Sequence, residues 1–196
     1  MATPPTPTPP SAQRLLDAAL DLFQRQGIRA TPVDQLTTHA HTTPPMLYRY
    51  YGDKDGVIVA ATDHWDTDFR AHLTDHLDQH ATPRVKLLAV FDFLERWLAD
   101  HGWRGWLVAD AAMEFADNTT HDVHQVVARH RHAMRALLEE LVATAGARDP
   151  NPLAVQVQVL LDGAMIGAIL DRDPGPIRAA RAQVEILLAA AGVADR

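Results

Sequence analysis

Three groups of residues in this 196-residue chain have types and spacings suited to chemistry. His64, Asp68, His72, His76 and His80 follow one another at intervals of four. On a helix that interval puts neighbours on one face, where imidazole and carboxylate suit zinc or nickel. Each such step also rotates by about 40°, so five side chains cannot converge on one ion. His121 with His124, and His130 with His132, add little order. The ladder reads better as a polar face flanking Phe69, Leu73 and Leu77. No metal-hydrolase signature or nucleophile constellation is present, so no catalytic residue, metal or cofactor is assigned and the chain is not expected to be an enzyme.

The second group is aromatic. Trp97, Trp103 and Trp106 fall within ten residues, with Trp65, Met113 and Phe115 as further apolar candidates. Such walls with a few polar handles, here Glu114, His121 or Asp162, suit a planar or lipophilic small molecule. The same side chains equally fill an ordinary core, since aromatics bury large areas wherever they stand. The third group is the stretch TTPPMLYRYYGDKDG at 42–56, where two successive prolines precede three tyrosines at helical spacing.

Composition bounds what these groups can belong to. With 47% hydrophobic residues the chain can bury a substantial core, and the absence of cysteine excludes a disulfide scaffold and thiolate metal sites. No apolar run is expected to reach the roughly 20 residues that cross a bilayer, so a cytoplasmic chain with no membrane partner is anticipated. The proline-rich opening MATPPTPTPP has neither a basic nor an apolar region and reads as a disordered tail over 1–10. The net charge of -7 is unevenly spread. Residues 1–56 hold five basic and five acidic groups, leaving 13 basic and 20 acidic in the remainder, so a neutral head precedes an acidic body. That balance permits DNA binding at the head without advertising it.

The elements that must position these residues are helices. Ser11 is a plausible N-cap for a first helix with Leu15, Leu16, Ala19, Leu20, Leu22 and Phe23 as its apolar set, and Gly27 stops it. Thr31 followed by Pro32 opens a short second helix, with Val33, Leu36 and Ala40. Thr43 precedes Pro44 and Pro45, which cost little at the first helical positions because amides there have no intrahelical acceptor. The double proline is therefore a start signal. Asp53 caps a long fourth helix to about Gln79, carrying Val57, Ile58, Ala61, Trp65, Phe69, Leu73 and Leu77. Further segments follow. One has Val85, Leu88, Phe91, Leu94 and Leu98 on one face and ends at Gly102; two more run through 103–117 and 120–146. The segment 151–170 is apolar nearly all round, with Gly163, Ala164, Gly167 and Ala168 forming a strip that a second helix could approach. A last helix at about 175–191 carries Ile177, Val184, Leu187 and Leu188.

Three short helices, the second and third joined tightly, followed by a long one, form a helix-turn-helix arrangement. Across residues 15–61 the sequence resembles the N-terminal domain of TetR-type transcriptional regulators. The matches are DAALDLF with its following glycine, TPVDQL, LYRYY and DKDG, in that order. The resemblance implies that residues 43–48 face the major groove while Leu47 and Tyr51 point into the small core. It further implies that Thr31 caps the second helix near a phosphate, that Thr43, Pro44, Pro45 and Met46 lie along the groove, and that Tyr48, Tyr50 and Lys54 hold the backbone. Pro44 and Met46 depart from the family's usual polar residues and cannot donate a hydrogen bond to a base. Base readout is then left to apolar contact with thymine methyls and to Arg49 or Thr42.

The expected fold is all-α with about nine helices: a tail over 1–10, a three-helix DNA-binding domain over 11–56, and a helical bundle over 57–196 for ligand binding and dimerisation. The resemblance implies a homodimer through the last two long helices, with Leu160, Gly163, Ala164, Gly167, Val184, Leu187 and Leu188 as interface candidates. The anticipated function is a regulator, a repressor released from double-stranded operator DNA by a small-molecule effector. The alternative is a helical small-molecule or metal sensor whose head has lost specific DNA binding.

Overall fold

The computed structural model describes residues 9–103 and 106–193. Among them are nine α-helices and no strands: α1 (Pro10–Gln26), α2 (Val33–His39), α3 (Pro44–Tyr51), α4 (Lys54–Leu77), α5 (Pro83–His101), α6 (Leu107–Glu114), α7 (Val123–Thr144), α8 (Pro150–Asp171) and α9 (Gly175–Ala190). The chain divides into two compact units, one of residues 9–67 and 106–127, the other of 68–103 and 128–193. The division runs through α4 rather than before it, and α6 joins the head, so the partition at 56/57 expected from sequence differs from the spatial one. The tail expected over 1–10 lies outside the described residues except for Pro9 and Pro10.

The first unit is built on α1, α2 and α3 with the start of α4. Leu15, Ala19 and Phe23 of α1, Leu36 of α2, Leu47 of α3 and Val57 and Ala61 of α4 are wholly buried. Prolines start two of the helices. Pro9 is the N-cap of α1 and Pro10 its first residue, so Ser11 is not the cap; its hydroxyl donates to the Tyr50 hydroxyl at 3.0 Å. α3 begins on Pro44 and Pro45 after an extended Thr43 and ends at Gly52, whose φ of 81° only glycine adopts without strain. The Asp53 carboxylate accepts from the Gly56 amide at 2.8 Å, capping α4 as its sequence position suggests.

In the second unit, Phe69, Leu73 and Leu77 of α4 are buried, and α9 packs against both α5 and α8. Phe69 lies edge-on to Phe93 and Trp97, with ring centroids 5.3 and 5.1 Å away. Polar links clamp the helices at the surface: Arg178 of α9 to Glu95 of α5, Arg181 to Asp92 at 3.2 Å, and Arg131 of α7 to Asp162 of α8 at 2.8 Å. α5 buries a wider arc than one stripe, Leu87 through Leu98, yet Val85 in its first turn is exposed, contrary to the expected face.

α8 corrects a second expectation. By length and composition it is apolar enough to cross a membrane. Packing on one side accounts for part of that character: Leu153, Val157, Leu161, Ala164 and Ala168 are buried, while Val159 and Leu170 are exposed. At Gly167 the small-residue strip serves the chain's own α9, while Gly163 faces outward. A Cβ on Gly167 would lie 3.1 Å from Pro176, whereas one on Gly163 would meet nothing within 4 Å. Gly167, Ala164, Val184 and Leu188 are therefore turned inward, and Gly163, Leu160 and Leu187 outward to different degrees.

Candidate nucleic-acid interface

The site is assembled by α3 and what brackets it. Leu47 is fully buried and fixes the rotation of the helix, and Tyr51 is half-buried with its hydroxyl donating to the Ala12 carbonyl at 2.7 Å. With those two turned inward, Pro45, Tyr48 and Arg49 share the outer face, and Thr43 is exposed just ahead of them. Tyr48 is 52% exposed. Thr42, Pro44 and Met46 are half-buried. Neither the Tyr48 hydroxyl nor the Arg49 guanidinium has a hydrogen-bond partner among the described residues, which leaves both available to an outside one.

The backbone offers little of its own at this end. A helix N-terminus usually presents free amides to an anion. Here Pro44 and Pro45 carry none, and the Met46 and Leu47 amides both bond to the Thr43 carbonyl, at 2.9 and 3.3 Å. The amide of Thr42 is taken by the Thr37 carbonyl at 2.9 Å. Hydrogen bonds from the start of α3 to an outside partner are therefore left largely to side chains.

Three residues expected at the DNA surface have internal engagements. Thr31 is buried and does not cap α2, whose N-cap is Pro32; its hydroxyl instead donates to the Gly27 carbonyl at 2.8 Å and receives the Gln26 amide at 3.1 Å. Proline at the cap position leaves the threonine one residue too early, so it closes the turn after α1. Tyr50 is half-buried against Ser11. The Lys54 amine donates to the Ile28 carbonyl at 2.9 Å, and burial pulls its pKa below the usual lysine value, with Glu114 and Asp55 opposing. The α2–α3 turn is closed by His41, whose φ of 48° places a residue with a side chain in the left-handed region.

Two surface pairs join α6 and the segment after it to the head within this unit. Arg29 after α1 donates to Glu114 at 2.9 Å. His121 stacks on Phe115 with centroids 3.7 Å apart, accepts the Val123 amide at Nδ1, and lies 3.5 Å from the Asp55 carboxylate through Nε2. Because Nδ1 accepts, the ring proton of neutral His121 sits on Nε2, facing Asp55. Neither pairing could be read from the sequence, because Arg29 and Glu114, like Asp55 and His121, stand far apart along the chain.

The residues considered for an effector pocket fall in both units. In the first, Trp65 is buried, Trp106 half-buried and Met113 66% exposed, while Glu114 is held by Arg29. In the second, Trp97 is buried against Phe69 and Phe93 and stacks on His101 at 3.8 Å, Trp103 is half-buried, and Asp162 is engaged by Arg131. Thr62 and Asp66, one turn apart on α4, are buried polar residues that the apolar stripe concealed. The histidine ladder does not stay on a polar face: His64 and His72 are exposed, but His76 is buried. Among the described residues no three His, Asp or Glu side chains are grouped to hold a metal ion.

This geometry coincides with a family assignment. Residues 15–61 match the family described as bacterial regulatory proteins, tetR family. A TetR-family transcriptional regulator from Streptomyces coelicolor, SCO4454, superposes with a TM-score of 0.85 at 29% identity, covering 95% of this chain and 91% of that one. Residues 15–61 form a TetR-type head, and along most of its length the chain is similar to TetR-family regulators. Among curated TetR-like relatives, the HTH-type transcriptional regulator YjdC of Escherichia coli is 26% identical over 89% of this chain and 91% of its own length. The HTH-type transcriptional regulator BetI of Brucella canis is 26% identical over 90% and 89%. The matched span ends at Ala61 in α4, so the TetR-type head is α1 to α3 plus the beginning of α4, and these relatives are transcriptional regulators rather than enzymes.

Proposed function

We propose that this chain is a homodimeric TetR-type transcriptional repressor of the bacterial cytoplasm that leaves its operator when a small-molecule effector binds. The observation that carries DNA contact is the outer face of α3, where Tyr48 and Arg49 stand free beside Thr43 and Pro45 while Leu47 anchors the helix from behind. Arg49 supplies the bidentate donor suited to guanine, Tyr48 a hydroxyl for phosphate, and Pro45 and Met46 apolar surface for thymine methyls. Lys54 adds charge beside α3, its amine keeping donors beyond the one given to Ile28.

Dimerisation is assigned to the outward faces of α8 and α9. A shallow apolar groove between them is lined by Val155, Val159, Leu160 and Leu187 with Gln156 and Gln183 at its edges, and Val159 and Ile186 are more than 60% exposed. Large aliphatic side chains clustered on one face mark an interface. Two heads held at a fixed separation then read two half-sites, and an effector that prefers another separation weakens DNA binding by the free energy with which DNA weakens effector binding. The aromatic residues of the regulatory part are the candidates for its binding site. Selection of DNA from a random pool by the purified protein tests the proposal: it requires a recurrent palindrome with two half-sites, and a pool that emerges without any consensus overturns it.

A second reading, a sensor whose head has lost sequence-specific binding, is favoured by the amide-poor start of α3 and by Pro44 and Met46. Salt-sensitive binding without sequence enrichment in the same selection is its signature.

A further inference from the structure

His76 occupies an unusual position for a histidine. It is 7% exposed, in the seam between the C-terminal half of α4 and α5, and Nη2 of Arg96 lies 3.1 Å from each of its ring nitrogens. A ring that accepts from a guanidinium must offer a lone pair, so it is neutral in this arrangement. On its α4 side stands His80, whose ring centroid is 5.2 Å away and whose Nε2 is buried without a hydrogen-bond partner. From α5, Phe93 lies against the ring at 5.8 Å. A groove of about 250 Å³ opens beside the pair, its rim carrying His72 and Asp75 from α4 and Arg96, Asp100 and His101 from α5. Asp92 of α5 also acts on His76 and is itself paired with Arg181 of α9.

We propose that this seam is a proton-operated hinge: when His76 takes up a proton, Arg96 is driven off the ring, α4 loosens from α5, and affinity for DNA falls as the surroundings acidify. The protonated ring has two N–H donors and no acceptor, and its charge stands at hydrogen-bond distance from a guanidinium that remains charged throughout the range. The released Arg96 has carboxylates, Asp75 and Asp100, around the same groove, so the seam has a second arrangement to adopt. Burial, Arg96 and His80, in that order, hold the pKa of His76 below the ordinary 6.5, against opposing effects of Ala89 and Asp92. The switch therefore acts below pH 6.5. Two residues separate α4 from α3, and α4 ends at this seam, which makes it the element through which the change reaches the head.

The DNA part of the proposal rests on the reading of the chain as a DNA-binding regulator; the opening of the seam does not. The test uses the full chain between pH 7.5 and 5.5. Hydrogen exchange, corrected for its intrinsic pH dependence, follows residues 68–77 and 85–97, and titration follows selected operator DNA. Both exchange protection and operator affinity are expected to fall about fivefold or more on acidification. His76→Gln, whose amide can accept from Arg96 at any pH, should abolish both changes and leave the pH 7.5 values in place. Arg96→Gln, at an exposed position, should also abolish them by removing the opposing charge, and it decides the matter if His76→Gln does not fold. A wild-type seam with unchanged protection, or either variant keeping the full acid response, overturns the proposal. A seam that opens in a protein with no DNA affinity at any pH upholds the proton switch and removes the regulator reading.

Discussion

At the scale of single residues, the three tyrosines of α3 have three different roles although they stand almost side by side. Tyr51 reaches into the head, Tyr50 ties α3 to the start of α1, and Tyr48 faces outward. Tyr48→Phe should leave thermal unfolding unchanged and weaken operator binding by about 0.5 to 1.5 kcal/mol, the worth of one hydrogen bond. Tyr50→Phe should instead lower the stability of the head by a similar amount. If the melts and DNA titrations come out the other way round, the helix presents a different face from the one assigned. His41 gives a second residue-scale expectation. Its left-handed backbone carries a penalty of about 1 kcal/mol that glycine does not incur, so His41→Gly should raise the melting temperature of the head. An unchanged or lower melting temperature would show that the turn derives more from the side chain than it loses in the backbone.

At the scale of elements, much was legible in the sequence, and the exceptions share a cause. Helix starts marked by proline and ends marked by glycine are local signals, so the start of α3 and the stops at Gly27 and Gly102 were readable from a few residues each. Leu47 was assigned to the core and is wholly buried. What could not be read were pairings between side chains distant in sequence: Ser11 with Tyr50, Arg29 with Glu114, His76 with Arg96. Thr31 looked like a cap because capping residues and turn-closing residues are the same types. Gly167 shows the same limit. Its small size was visible, but whether the neighbour was α9 or a second copy was not, and Pro176 occupies the space. Gly167→Leu should therefore destabilise the protomer by roughly 1 to 3 kcal/mol through overpacking. A Cβ at Gly163 meets nothing within 4 Å, so the effect of Gly163→Leu is expected in the proposed dimer, read as a shift toward monomer in sedimentation. A dimer that is unchanged by Gly163→Leu would move the interface off this strip.

The link between α5 and α9 adds an acid dependence of its own. The hydrogen bond from Arg178 lowers the pKa of Glu95 below the usual 4.5, with burial and Asp173 partly opposing. A carboxylate held below its unfolded value contributes stability that is present above pH 4.5 and is lost as pH falls through the folded value. Comparing melts of wild type and Glu95→Gln, the difference between them should narrow as the solution is taken from pH 5.5 to 3.5. A constant difference would mean that the pair does not act through charge.

At the scale of the whole molecule, the division of charge decides how binding should respond to salt. The first 56 residues are electrically balanced and the excess of seven negative charges belongs to the rest. With DNA on α3 as proposed, few cations would face it and few counterions would be released on binding, so the logarithmic dependence of affinity on salt should be shallow. A steep slope, of the kind produced by many phosphate contacts, would place the interface on residues other than those of α3 and the start of α4.

The near absence of lysine turns Lys54 into a chemical handle. Of the 18 basic side chains 16 are arginine, which amine reagents leave alone, so within the chain such a reagent has Lys54, Lys86 and the terminal amine to choose from. Burial makes the Lys54 amine easier to deprotonate, the form that acylates, while its bond to the Ile28 carbonyl ties that nucleophile to the fold of the head. The extent of acylation at this one position therefore reports on whether the head is folded and covered, without any label having to be introduced.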